Sequence, residues 1–126
     1  MAYLAPTVLD AALQILRDAT TPVLHLLPSA PANFAAVTAN TLGNKASPTI
    51  TAQADATPNG RQVTIATFTD GTVTATGTGT HWALVDANDS RLLAWVEGDN
   101  PQVVTGGNPL SMTSAIPIRI PAAVEA

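Results

Sequence analysis

Residues 61–97 read RQVTIATFTDGTVTATGTGTHWALVDANDSRLLAWVE, and their chemistry favours extended backbone. Val63, Ile65 and Phe68 alternate loosely with Thr64 and Thr69 at a period near two, up to the pair Asp70-Gly71. That pair tolerates positive φ and predicts a tight hairpin. A second run, Thr72 to Thr78, sets Val73 and Ala75 against threonines, and a third, HWALVD from His81, turns through Asn88-Asp89-Ser90 into LLAWVE. A helix competes poorly: threonine loses side-chain freedom there, and Gly77 and Gly79 would each cost about 1 kcal/mol in its interior. Three adjacent antiparallel strands are therefore expected from Arg61 to Glu97, with Gly77 and Gly79 marking a bulge or a crowded strand crossing.

Upstream, Val8, Leu9, Ala12, Leu13, Ile15, Leu16 and Ala19 form a stripe at helical spacing, with Asp10, Gln14, Arg17 and Asp18 around it. An amphipathic helix over about residues 7–19 follows, beginning near Pro6-Thr7 and ending before Thr20-Thr21-Pro22. Val23 to Leu27 lies between two prolines, which suits an edge strand or one ended by proline. A second helix is predicted from Asn33 to Leu42, capped by Asn33, with Phe34, Val37 and Leu42 inward. A short strand is expected around Thr49 to Gln53, centred on Ile50.

After the central stretch, Glu97-Gly98-Asp99-Asn100-Pro101 predicts a turn, then a brief strand from Gln102 to Thr105 and another turn at Gly106-Gly107-Asn108-Pro109. Leu110 to Ile120 reads as one strand, tipped toward a sheet edge by Pro117. The tail 121–126 has little to hold it and is expected to fray. About six to eight short strands with turns about 8 to 12 residues apart describe a mainly β fold. The expected form is an antiparallel β-sandwich or partly closed barrel with an N-terminal amphipathic helix, in one domain spanning 1–126.

Composition narrows the function. Five basic residues against nine acidic ones, a net charge of −4 and no basic cluster supply no footprint for nucleic acid. Only 11% of residues are charged, which suits a neutral surface covered in part by a permanent neighbour. The chain lacks cysteine, so thiol chemistry and disulfides are excluded. MAYLAPTVLDAALQILRD lacks a basic leading region, so no signal peptide is expected, and no apolar run approaches the roughly 20 residues of a membrane span.

Catalytic, cofactor-binding and metal residues are not expected. Metal binding needs three or four converging ligands, which two histidines and the Asp86-Asn88-Asp89 group do not announce. That group reads as a turn whose side chains satisfy the backbone. Glu97 and Asp99 would serve acid/base hydrolysis only across a cleft, and the serines sit in no nucleophile elbow. TGTGT lacks the helix and basic residue of a phosphate loop.

Five residues are candidate interface or ligand contacts. Tyr3 lies at the N-terminus, suited to packing on a neighbour. His25, within VLHLL, points away from Leu24 and Leu26 if the segment is a strand. His81 has Thr80 beside it as a hydrogen-bond partner. Trp82 and Trp95, on consecutive strands, are positioned to approach each other across the hairpin as core anchors, or to leave one indole exposed for binding.

Several segments carry a likeness: VLDAAL (8–13), LHLLPSAPANFAAV (24–37), TVTATGTGTHWALVD (72–86), SRLLAWV (90–96) and TGGNPLSMTSAIPIRIP (105–121). Their order resembles that of a family of small virion proteins of tailed bacteriophages and prophages of alphaproteobacteria, and the likeness spans nearly the whole chain. It implies a non-enzymatic particle component, such as a capsid decoration or cement protein, assembled in the host cytoplasm and placed on the head exterior. Its partners would be the major capsid protein or another virion subunit, or copies of itself in a homo-oligomer, with no nucleic acid, membrane or cofactor. Alternatives are a head-to-tail or tail component, or a glycan- or receptor-binding β-domain using Trp82 or Trp95.

Overall fold

The computed structural model describes residues 5–56 and 60–120. In chain order these form α1 (Pro6–Arg17), β1 (Pro22–Leu27), α2 (Phe34–Asn40), β2 (Gly43–Ala46), β3 (Ala54–Asp55), β4 (Arg61–Ile65), β5 (Phe68–Val73), β6 (Gly77–Asp86), β7 (Arg91–Val104), β8 (Pro109–Met112) and β9 (Ile116–Ile120). They fall into two compact units, one of Met1–Ala19, Thr49–Thr67 and Ser114–Ala126, the other of Thr20–Pro48 and Phe68–Thr113. The fold has a β-sheet core with two helices, and its sheets, of six and three strands, do not close into a barrel. The expected partly closed barrel is thereby corrected: the two end strands of each sheet do not pair with one another.

In the first unit α1 packs on β4, the middle strand of the antiparallel sheet β3-β4-β9. Leu9, Leu13 and Leu16 are buried, whereas Val8 and Ile15 of the same stripe stay about half exposed. A three-turn helix is marginal alone, so this docking is what holds it. Arg61, Val63 and Ile65 share one face of β4 by strand alternation, and both aliphatic residues are buried. Arg61 donates from Nε to Asp10 Oδ1 of α1 at 2.7 Å and from Nη1 to Asp55 Oδ1 of β3 at 2.6 Å. Those hydrogen bonds, Asp10 first, raise the guanidinium's pKa further above its ordinary value. Gln53 adds a second tie, donating to the Asp10 carbonyl at 3.0 Å and to Gln14 Oε1 at 2.7 Å. Pro117 lies in β9, an edge strand, as its missing donor requires.

The second unit is an antiparallel sheet in the order β7-β6-β1-β2-β5-β8. Asn33 caps α2 by accepting from the Ala36 amide at 2.9 Å, and Val37 carries the helix onto Leu27, Ala83 and Val85, with Val23, Phe34 and Leu92 at the margin. On the other sheet face, by alternation, lie Leu24, Leu26, Trp82 and Leu84, all buried. Burial on both faces explains why VLHLL and WALV read as unbroken apolar runs.

Several expectations are overturned here. Of the two forms expected for residues 23–27 the edge strand is excluded and the strand ended by proline holds: β1 is central, between β6 and β2, with Pro22 at its first position and Pro28 after its end, so neither proline blocks pairing. Asp70-Gly71 makes no hairpin: it lies within β5, where a register shift falls between Phe68 and Gly71, and Asp70 holds Lys45 Nζ at 3.1 Å. The three adjacent strands of residues 61–97 are not adjacent, because β4 belongs to the other sheet and β1 and β2 stand between β5 and β6. The turn at Glu97–Pro101 is absent, since β7 runs through it for 14 residues. Residues 110–120 divide into β8 and β9, one in each sheet. The strand around Ile50 reduces to a single bridge with Ile65. The tail 121–126 lies outside the described residues.

Candidate functional site

The β6–β7 hairpin brings polar and aromatic candidates together at a sheet edge. Its register opposes His81 to Glu97 and Ala83 to Trp95, which places all four on one face. This is the face that α2 covers farther along, over Ala83 and Val85. Trp95, on the outermost strand, is 46% exposed. Its ring centroid lies 5.6 Å from that of His81, at 54° between planes, and His81 Nε2 is 3.8 Å from Glu97 Oε2.

The proton on His81 follows from its neighbours. The Thr80 hydroxyl donates to the Pro28 carbonyl at 2.8 Å, and its oxygen lies 2.7 Å from His81 Nδ1. A hydroxyl has one hydrogen, so the second contact requires Nδ1–H to donate to Thr80 Oγ1. Nε2 is turned toward the Glu97 carboxylate, with which a protonated ring forms an ion pair.

Trp82 does not join this group. The register opposes Trp82 to Val96, one residue away from the Ala83–Trp95 pair, so the two indoles point to opposite faces. The expected approach of the tryptophans across the hairpin is thus corrected. Trp82 is 8% exposed and meets Phe68 edge to face, with centroids 6.0 Å apart at 88°. Gly79 gives room to a neighbouring core side chain: a Cβ there would lie inside Leu26, and a register shift follows between Gly79 and His81. The crowded crossing and the bulge are both present.

His25 is buried on the α2-covered face, opposite Ala83 and Asn44. Its Nδ1 is 2.9 Å from Thr41 Oγ1, whose hydroxyl donates to the Gly43 carbonyl, so Nδ1–H is again the donor. Burial lowers the imidazole's pKa below its ordinary value. This histidine ties α2's C-terminal end to β1 and β2. Tyr3 lies outside the described residues.

The 86–90 turn hangs on the Asp86 carboxylate, which satisfies backbone amides as its place in an Asx-rich turn suggests. Asp86 is 1% exposed and accepts from the Asn88 amide at 3.1 Å and the Thr21 amide at 3.3 Å. Burial pushes its pKa up, yet these amides and nearby Arg91 outweigh burial and hold it below the ordinary carboxylate value. Among the described residues no group of three or more His, Cys, Asp or Glu side chains is placed to hold a metal ion, and no helix is long and apolar enough to cross a membrane. No protein-family model, curated protein or solved structure matches the chain.

Proposed function

We propose that this chain is a non-enzymatic structural protein of a tailed-bacteriophage or prophage virion, decorating or stabilising the assembled head through subunit contacts. The resemblance of its ordered segments motivates the reading. The structural observation that supports it is the outermost strand β7, whose 14 residues present Trp95 at 46% and Val103 at 79% exposure. An outer strand offers backbone donors and acceptors to a neighbour, and an exposed indole supplies the contact area on which protein interfaces rely. In this reading the β-rich chain is the sandwich-type module suggested by its strand spacing, repeated over the shell.

The mechanism is linkage. A subunit that binds the closed shell and not its separated components lowers the free energy of the closed state. The partner is the major capsid protein or another virion subunit, and copies of this chain are a second source of contacts. Cryo-electron microscopy of purified particles tests the assignment: density spread over the head exterior is expected. Density confined to one vertex or the tail reassigns the protein to a head-to-tail or tail role. Absence from mature virions, under conditions that retain bound proteins, rejects the proposal.

A further inference from the structure

We infer that α2 is an acid-operated cover: protonation of His25 lifts the helix from the sheet and bares the apolar patch formed by Leu27, Ala83 and Val85. The inference stands apart from the virion reading and rests on how one ionisable ring is enclosed. Between Asp18 and Lys45 every residue but His25 is uncharged, so α2 and both of its connections bring no counter-charge to the ring. His25 is buried, with Ala83 of β6 opposite it on one side and Asn44 of β2 on the other. Thr72 of β5, opposite Asn44, extends this row without a charge.

The charged groups of the same strands lie elsewhere. Lys45, which pairs with Asp70, is opposite Leu24, and Asp86 is opposite Pro22 and Arg91, so by alternation these turn to the other sheet face. On His25's own face, among the described residues of these strands, are His81, opposite Leu27, and Glu97, opposite His81, both farther along the β6–β7 hairpin. No carboxylate stands across from the ring.

α2 is the element that yields. β1, β2 and β6 are held in the sheet ladder, whereas α2 is a seven-residue helix, too short to persist alone. It rests on the sheet through Val37 and, at its C-terminal end, through Thr41. Since Nδ1–H already donates to Thr41 Oγ1, an added proton lands on Nε2 and makes a cation between Ala83, Asn44 and an uncharged helix. Burial disfavours that charge, which is why the ring's pKa is lowered. Lifting α2 admits water and restores the ring's ordinary proton affinity, so the open form binds the extra proton and acid favours it. Below about pH 6.5 the opening constant gains up to about tenfold per pH unit from this single proton.

Hydrogen exchange of the full-length protein, read by mass spectrometry at about pH 7.5 and about pH 5.5 and corrected for the intrinsic rate at each, tests the cover. The opening constant of amides in 33–42 is expected to rise about tenfold while 82–86 in the sheet keep their protection, and binding of an apolar dye should rise in parallel. His25→Gln, which cannot take up the proton, should lose the response, and His81→Gln should keep it. Equal loss of protection in α2 and the sheet, an unchanged α2, a response that survives in His25→Gln, or one lost in His81→Gln overturns the inference. Should His25→Gln fail to fold, NMR titration of the His25 ring in the parent decides. A midpoint shared with the opening of α2 supports the cover, and separate midpoints overturn it.

Discussion

Replacing Gly79 with alanine adds one methyl group where the structure has none to spare. The new Cβ would lie within the side chain of Leu26, which is only 1% exposed and so has no route into solvent. Gly79 adopts no positive φ, so the penalty is steric and not conformational. Forcing a methyl into a packed core costs about 1–3 kcal/mol. Leu26→Ala alone should cost about 2–5 kcal/mol through lost burial and a residual cavity. In the double variant the methyl added at position 79 enters the space that Leu26 vacates, so the combined cost should fall short of the sum by about 1 kcal/mol or more. Urea unfolding followed by tryptophan fluorescence and far-ultraviolet circular dichroism measures all four proteins, and coincidence of the two probes licenses the two-state arithmetic. A Gly79→Ala loss of about 2 kcal/mol would lower the midpoint by about 1 M for a typical small-protein slope. Gly107→Ala is the control: nothing lies within 4 Å of its Cβ position, but φ is +92°, so about 1 kcal/mol of backbone strain is expected with no coupling to Leu26. A Gly79→Ala variant as stable as the parent, or a double variant additive within about 0.5 kcal/mol, would refute the packing argument.

Trp82→Ala should cost about 3–5 kcal/mol, whereas Trp95→Ala should stay within about 1 kcal/mol, because only the first indole is buried; equal losses by urea unfolding would contradict the face assignment. Ser90 holds φ at 54° in the β6–β7 turn, so Ser90→Gly should raise stability by up to about 1 kcal/mol, read as a higher melting temperature. His25 has a lowered folded pKa, so below the imidazole's ordinary value near 6.5 the unfolded chain binds the extra proton and stability falls with pH. The slope of stability against pH just below that value should flatten in His25→Gln, and an unchanged slope would count against burial as the cause. Asp86 is depressed, so its contribution is present above the ordinary carboxylate value near 4 and is lost as pH falls through the folded pKa. Acid unfolding of Asp86→Asn should accordingly be less steep below about pH 4 than that of the parent.

Local chemistry carries some features by itself. The helix at Pro6–Arg17, the Asn33 cap of α2 and the β6–β7 hairpin through residues 87–90 each depend on side-chain spacing, capping or turn chemistry within a few residues. Strand order does not. β1 reaches the sheet centre because it pairs with residues about 20 and about 60 positions away, and β4 leaves its neighbour β5 to pair with β9, over 50 residues later. Asp70-Gly71 had the residues of a turn, but the available partner was β8, so the chain ran straight on. The site divides in the same way. Sequence named His81 and Trp95 as candidates, and only the register set them on one face with Glu97 and turned Trp82 to the other. A strand's side chains alternate with a period of two, so a one-residue difference in pairing separates a core indole from an exposed one, and pairing is a property of the assembled sheet.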